Sequence, residues 1–209
     1  MFKKCNKAIL IGGFHEVIEL CELQNIKIIG IIDNLRKDTF LGYPILGTDN
    51  DAEELFNSIG NIPILITPDQ PKVKNRIVDL YQKAGYSFFN LVSSSSLISK
   101  SAKFGKGVLI HNKVNISSNV IIGDFVRVNT MANIMHDSVI EQYTTIAPNA
   151  VILGNVKIGC LTYIGSNATI LPHVNIGNNV IIGAGAVVTK DVPAGKTMVG
   201  NPARELKSK

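Results

Sequence analysis

Tryptophan is absent from this chain of 209 residues, and aromatic residues make up only 6% of it. No basic run is interleaved with aromatics, so nucleic acid is not an expected partner. Cysteine is scarce as well. Cys5, Cys21 and Cys160 are odd in number and lack metal-ligand spacing, which argues against a disulfide framework and leaves inert thiols. Long apolar runs are missing: after Lys3 and Lys4, the stretch Ala8 to Ile11 stops at glycines and Glu16. That is too short for a secretory core or a membrane span, so the expectation is a cytoplasmic protein without membrane insertion. There is no G-x-G-x-x-G, which disfavours NAD, and no glycine-rich loop of a nucleotidyltransferase. Charged residues are few, 18%, with a net charge of +5. A phosphorylated small molecule suits that sign, although most of the charge reads as solvated surface.

What is present is a period of six. From Ile110 to Val188 every sixth residue is Ile or Val, without a miss. A second column lies two residues earlier and is mostly small, running from Val108 through Ala132, Ser138 and Thr144 to Ala186. Neither a helix nor an alternating strand holds such a period. A solenoid of short strands with a corner every six residues does. Three such sides make a coil of eighteen residues, and about five coils fit residues 97 to 190. Gly123, Gly159, Gly165, Gly177 and Gly183 follow the corner aliphatic, where a positive φ is expected. After Val188 the period stops, and Pro193, Gly195 and Pro202 predict an irregular tail.

Residues 1–92 read differently. Strands are expected at Lys7–Ile11, Lys27–Ile32, Ile62–Thr67 and Ser87–Leu91, and helices at Glu16–Gln24, Asp49–Asn57 and Lys72–Ala84. This alternation predicts a Rossmann-like α/β domain over 1–92. The run Ser93 to Ser96 is its joint to the solenoid domain, 93–209.

Two strings carry a resemblance. Ile182-Gly-Ala-Gly-Ala-Val-Val-Thr-Lys-Asp-Val-Pro193, followed by Gly200-Asn-Pro-Ala-Arg204, resembles the C-terminal signature of hexapeptide-repeat acyltransferases. Asn133-Ile-Met-His136-Asp137-Ser-Val-Ile140, with Gly154-Asn-Val-Lys-Ile-Gly159, is similar to bacterial sugar acetyltransferases of the bacillosamine and sialic-acid O-acetyltransferase type. The resemblance implies a left-handed parallel β-helix, a homotrimer, and acetyl-CoA bound between subunits. It places the coenzyme along Thr145, Gly154, Ser166, Ala184 and Gly185; Lys190, Lys196 and Arg204, on or near the C-terminal tail, are the basic residues expected to meet its phosphates. It assigns Gly13, Phe14 and His15 to the phosphates of a nucleotide-sugar, Asp33 and Asn34 to its base or ribose, and the Thr67 stretch to the same site. The chain departs from the family at Gly12-Gly13-Phe14-His15, one residue short, at Ile66-Thr67-Pro68-Asp69, and at Thr145, which replaces a basic side chain.

The eighteen-residue coil has a consequence of its own. Adding eighteen to His136 reaches Gly154, so the two should be neighbours on adjacent coils. An outward histidine beside a backbone N–H suits acyl transfer: the imidazole takes a proton from the attacking group, and the N–H meets the developing oxyanion. In the resembling enzymes the carboxylate at Asp137 holds that ring. His111 and His173 raise the idea of zinc, but no His-x4-His pair accompanies them and no metal is expected.

The sequence therefore predicts an acetyl-CoA-dependent N-acetyltransferase. Its acceptor would be a UDP-linked 4-amino-4,6-dideoxy sugar for surface glycan assembly. The alternatives are an O-acetyltransferase of sialic acid or a related sugar, and a non-catalytic scaffold that binds a sugar nucleotide.

Overall fold

In a computed structural model that describes residues 5–206, the chain divides into two compact units. One comprises Met1–Asp69 and Val73–Leu91, the other Gln70–Lys72 and Val92–Lys209. Lys3 and Lys4 lie outside the described residues.

Among the described residues, the first unit is built on a five-stranded sheet with three α-helices. Strand β1 (Lys7–Ile11) pairs in parallel with β2 (Lys27–Ile32) on one side; β4 (Tyr43–Gly47) extends the sheet beyond β2. On the other side β1 pairs in parallel with β5 (Ile64–Ile66), Ile9 facing Ile64. The short β3 (Thr39–Phe40) closes the β4 edge antiparallel. Ile9, Leu10, Ile31, Ile32 and Leu65 are buried, as expected of strands covered on both faces. Helix α1 (His15–Leu23) buries Val17, Ile18, Leu20 and Cys21, one stripe of a 3.6-residue period. Helices α2 (Ala52–Ile59) and α3 (Pro71–Lys83) follow β4 and β5.

Two features differ from the sequence reading. The β3–β4 hairpin was not expected, because Pro44 and Gly47 break up an already short apolar run. The strand expected at Ser87–Leu91 reduces, within this unit, to an isolated parallel bridge between Phe88 and Ile64.

The second unit is a parallel β-helix of three faces. Two-residue strands recur every six residues, and each pairs with the strand eighteen residues on. Asn115–Ile116 pairs with Asn133–Ile134, which pairs with Val151–Ile152. The first face carries Leu109–Ile110 and its successors, the second Leu97–Ile98 and the third Lys103–Phe104. The second residue of each rung points inward, and so does the residue two before it; both columns are buried from Val108 to Val188. The polar members of the inner column are satisfied. Ser138, Thr144 and Thr162 donate their hydroxyls to Leu153 O, Gly159 O and Gly177 O at 2.9, 2.9 and 3.0 Å. Ser93 and Ser96 bond Asn112 and the His111 carbonyl, so the serine run belongs to the first coil.

The corners correct the glycine reading. At every sixth residue from Gly107 to Gly185 the backbone is left-handed, with φ between 55° and 67°, and most occupants are not glycine. Gly123, Gly159, Gly165, Gly177 and Gly183 stand two residues earlier and lack positive φ. Their constraint is space: a Cβ on Gly165 would lie 2.6 Å from Ala184 N, and one on Gly123 would lie 2.7 Å from Gln142 N. The tail is also more regular than expected. Thr197–Val199 continues the first face opposite Ile181–Ile182 and turns back into Arg204–Glu205. Ile181 pairs with Thr197 at a spacing of sixteen, so the last coil is two residues short and escapes the period.

Candidate functional site

His136 and Asp137 occupy the corner between the second and third faces, just after the rung Asn133–Ile134. Ile134 and Ser138 are both buried, which forces the residues between them outward; the two side chains are 52% and 45% exposed. Asp137 takes the left-handed corner conformation, φ 59°. Its Oδ2 lies 2.8 Å from His136 Nδ1, and its Oδ1 accepts from Asn119 Nδ2 at 3.0 Å. Those hydrogen bonds, from His136 and then from Asn119, hold the carboxyl below its ordinary range.

Gly154 sits beside His136 on the neighbouring coil. The Asn155 N–H donates to His136 O at 2.9 Å, and the His173 N–H to Gly154 O at 3.1 Å. A Cβ on Gly154 would be 2.7 Å from both Cε1 and Nε2 of His136. The ring therefore rests on the glycine, and any side chain there would displace it. An imidazole held through Nδ1 has Nε2 available as a base, next to a backbone amide.

The other residues tied to the coenzyme fall in three places. Lys190 lies on the same corner as His136, three coils of eighteen further along. It lines a cavity of about 390 Å³ with Thr189, Asp191, Met198 and Arg204. Ser166, Ala184 and Gly185 lie on a different corner, between the first and second faces. Thr145 is fully buried on the first face. Lys196 is engaged with Glu205 at 2.8 Å. His111 is buried beside Arg127, at 3.2 Å.

The first unit holds a separate cavity of about 650 Å³ at the carboxyl ends of β1 and β2. Gly12 turns the chain there with φ 91°, and α1 starts from extended Phe14 without a side-chain cap. Gly13, Phe14, His15, Asp33 and Asn34 all line this cavity. Thr67 does not; it is fully buried and donates to Ile11 O and Gly12 O at 2.7 and 2.8 Å. Its contribution is to hold the glycine turn against β5.

Two of the acidic residues that line this cavity, Asp33 and Asp49, are already engaged. Asp33 Oδ2 accepts from Gly13 N and Arg36 NH1, and Oδ1 accepts from the N–H groups of Leu35 and Arg36. Burial raises its pKa, but these bonds outweigh burial and leave the carboxyl lowered. Asn34 exchanges two bonds with Asp49, which also accepts from Tyr81. The sequence reading overlooked Arg36 and Arg76, which line the same space. Arg36 stacks over Phe40 at 4.1 Å. A signal for Arg76 existed: Val73, Arg76 and Ile77 share one helical face, and all three line the cavity.

The bacterial transferase hexapeptide (six repeats) family matches residues 155–190. No curated protein matches the chain. Among solved structures, the chain is 26% identical to a variant of GDP-perosamine N-acetyltransferase from Caulobacter crescentus in complex with CoA and GDP-perosamine. That match covers 97% of each chain with a TM-score of 0.92. The acetyltransferase domain of PglB from Neisseria gonorrhoeae, in complex with acetyl coenzyme A, is 29% identical. It covers 97% of this chain and 100% of that one, with a TM-score of 0.90. WeeI from Acinetobacter baumannii is 32% identical over 95% of this chain and 99% of that one, with a TM-score of 0.87.

Proposed function

The chain belongs to the hexapeptide-repeat sugar acetyltransferases and is an acyltransferase, and on that premise we propose that it moves the acetyl group of acetyl-CoA onto the amine of a nucleotide-linked sugar. The acceptor is a UDP-linked 4-amino-4,6-dideoxy sugar, and the product serves surface glycan assembly. The observation that carries the reading is His136, fixed by Asp137 at Nδ1 and seated against Gly154.

In the reaction, His136 donates its Nδ1–H to Asp137, and Nε2 takes the proton released as the sugar amine attacks the thioester carbonyl. The Gly154 N–H meets the oxygen as it becomes negative. Collapse forms the amide and breaks the C–S bond, and His136 returns the proton to the departing thiolate. Acetyl-CoA supplies the activated acyl group. The corner from His136 to Lys190 is three coils long, about 14 Å at strand spacing, and it ends at the cavity shared by Lys190 and Arg204. A thioester at one end and phosphates at the other suit that polarity. Amine transfer is favoured over a hydroxyl acceptor because the similar perosamine enzyme is an N-acetyltransferase.

Residues 1–92 are read as a Rossmann-like domain for the nucleotide-sugar. The glycine turn after β1, the start of α1, and Arg36 and Arg76 would hold its diphosphate. Residues 93–209 are the catalytic domain, with the left-handed coil of the hexapeptide enzymes. A homotrimer is supported by the placement of Ser166 and Ala184 one corner away from His136. A side of six residues spans up to about 20 Å, and a second copy whose edge faces His136 would bring the two corners together. A cytoplasmic setting accords with this donor; among the described residues no helix is long and apolar enough to cross a membrane.

The test is thiol release from acetyl-CoA with a UDP-4-amino-4,6-dideoxy sugar, native protein against His136→Ala. Release should fall by roughly two to four powers of ten in the variant. Equal rates in both proteins would remove His136 from the chemistry, and no release from the native protein with this acceptor would sink the proposed substrate.

A further inference from the structure

Asp137 is gripped from both sides. One carboxylate oxygen faces His136 Nδ1 at 2.8 Å, and the other receives Asn119 Nδ2 at 3.0 Å. Asn119 precedes Asp137 by one coil in the same left-handed corner column, φ 58°. Its own N–H donates to Ser101 Oγ at 2.9 Å, and the Asp137 N–H donates to Ser118 O at 3.0 Å. Both backbones are therefore fixed. A carboxylate that is 45% exposed turns easily about its last torsion unless a second donor restrains it. Here the second donor exists, and it comes from a different coil.

We propose that Asn119 is a positioning residue for acyl transfer, holding the Asp137 carboxylate turned toward His136 so that Nδ1 carries the proton and Nε2 stays available. The proposal rests on the reading of His136 as the base. The competing explanation is local. Asparagine tolerates left-handed backbone, and Asn149, Asn155, Asn167 and Asn179 fill the same position elsewhere in the solenoid. The residue type alone therefore does not argue for the role; the bond to Asp137 does.

Two substitutions separate these accounts. Asn119→Gly keeps the left-handed corner and removes the amide. Asn119→Asp keeps size and corner tolerance but replaces the donor with a second carboxylate. The titratable groups along this corner are Lys100, His136, Asp137, His173, Lys190 and Asp191, and the substitution adds one more beside Asp137. Both variants should lower kcat about tenfold with KM for acetyl-CoA unchanged, since the lost contact only orients a partner of the base. The Asp variant should also lose activity at higher pH on the acid side than the native enzyme, because two adjacent carboxylates retain a proton. Native kcat and an unshifted pH profile in both variants, alongside an inactive His136→Ala, would reduce Asn119 to a corner residue. Full turnover by His136→Ala would instead remove the base, and the proposal with it.

Discussion

Asp33 shows how a residue singled out from the sequence for a ligand can have another task in the fold. A carboxylate at the end of β2 invites assignment to a ribose or base. In the structure its oxygens are committed to three backbone N–H groups and the Arg36 guanidinium. The group the cavity presents at that point is the cation it holds. This arrangement carries a pH dependence. The folded carboxyl is lowered from its ordinary 3.8, so its stabilising contribution is full above that value and fades as pH falls through the lower folded one. Asp33→Asn should therefore unfold at less denaturant than the native chain at neutral pH, and the gap should close in strong acid. Chemical denaturation at the two pH values measures it; a gap that persists in acid would mean that the charge is not what Asp33 contributes. Thr67 is similar in kind: placed at the cavity by resemblance, it works one layer beneath through two carbonyls.

At the scale of the element, the coil was legible because its constraint is periodic. One inward aliphatic per rung is visible in any list of residues, and from it the eighteen-residue step places Gly154 next to His136. The corner glycines were misread for an equally physical reason. Positive φ falls on a position that tolerates Asn, Asp, Tyr, Leu and Phe, so it left no glycine signal. The glycines instead mark contact with the next coil, which local sequence does not reveal. Gly165→Ala tests that account. Its Cβ would press on the Ala184 amide at 2.6 Å, an atom that cannot swing aside. A cost of about 1–3 kcal/mol is expected, a loss of several degrees in Tm. An unchanged melting curve would show that adjacent coils separate freely. The β3–β4 hairpin and the shortened last coil stayed hidden because each breaks its local pattern. Arg36 and Arg76 were missed because a cavity-lining arginine and a solvated one look alike until the strands bring the cavity together.

For the whole molecule, the arrangement of corners sets the strongest demand. His136, Gly154 and Lys190 share one edge of the prism, while Ser166 and Ala184 lie along another. If both edges serve one coenzyme, as proposed, they meet only where one copy's edge faces a different edge of the next. A closed ring of three identical subunits makes that contact three times. Two defective chains should then repair each other. His136→Ala spoils one edge, and Ala184→Trp, at an exposed corner, fills the other. Each homotrimer should be inactive while keeping its fold. When the two chains are unfolded together and reassembled, random mixing leaves about one interface in four with both edges intact, and activity should return to that share of native. The assay is thiol release, with melting curves on each parent to show that both fold. No recovery on mixing, or an Ala184→Trp protein that remains fully active alone, would place the whole acyl-transfer site within a single chain.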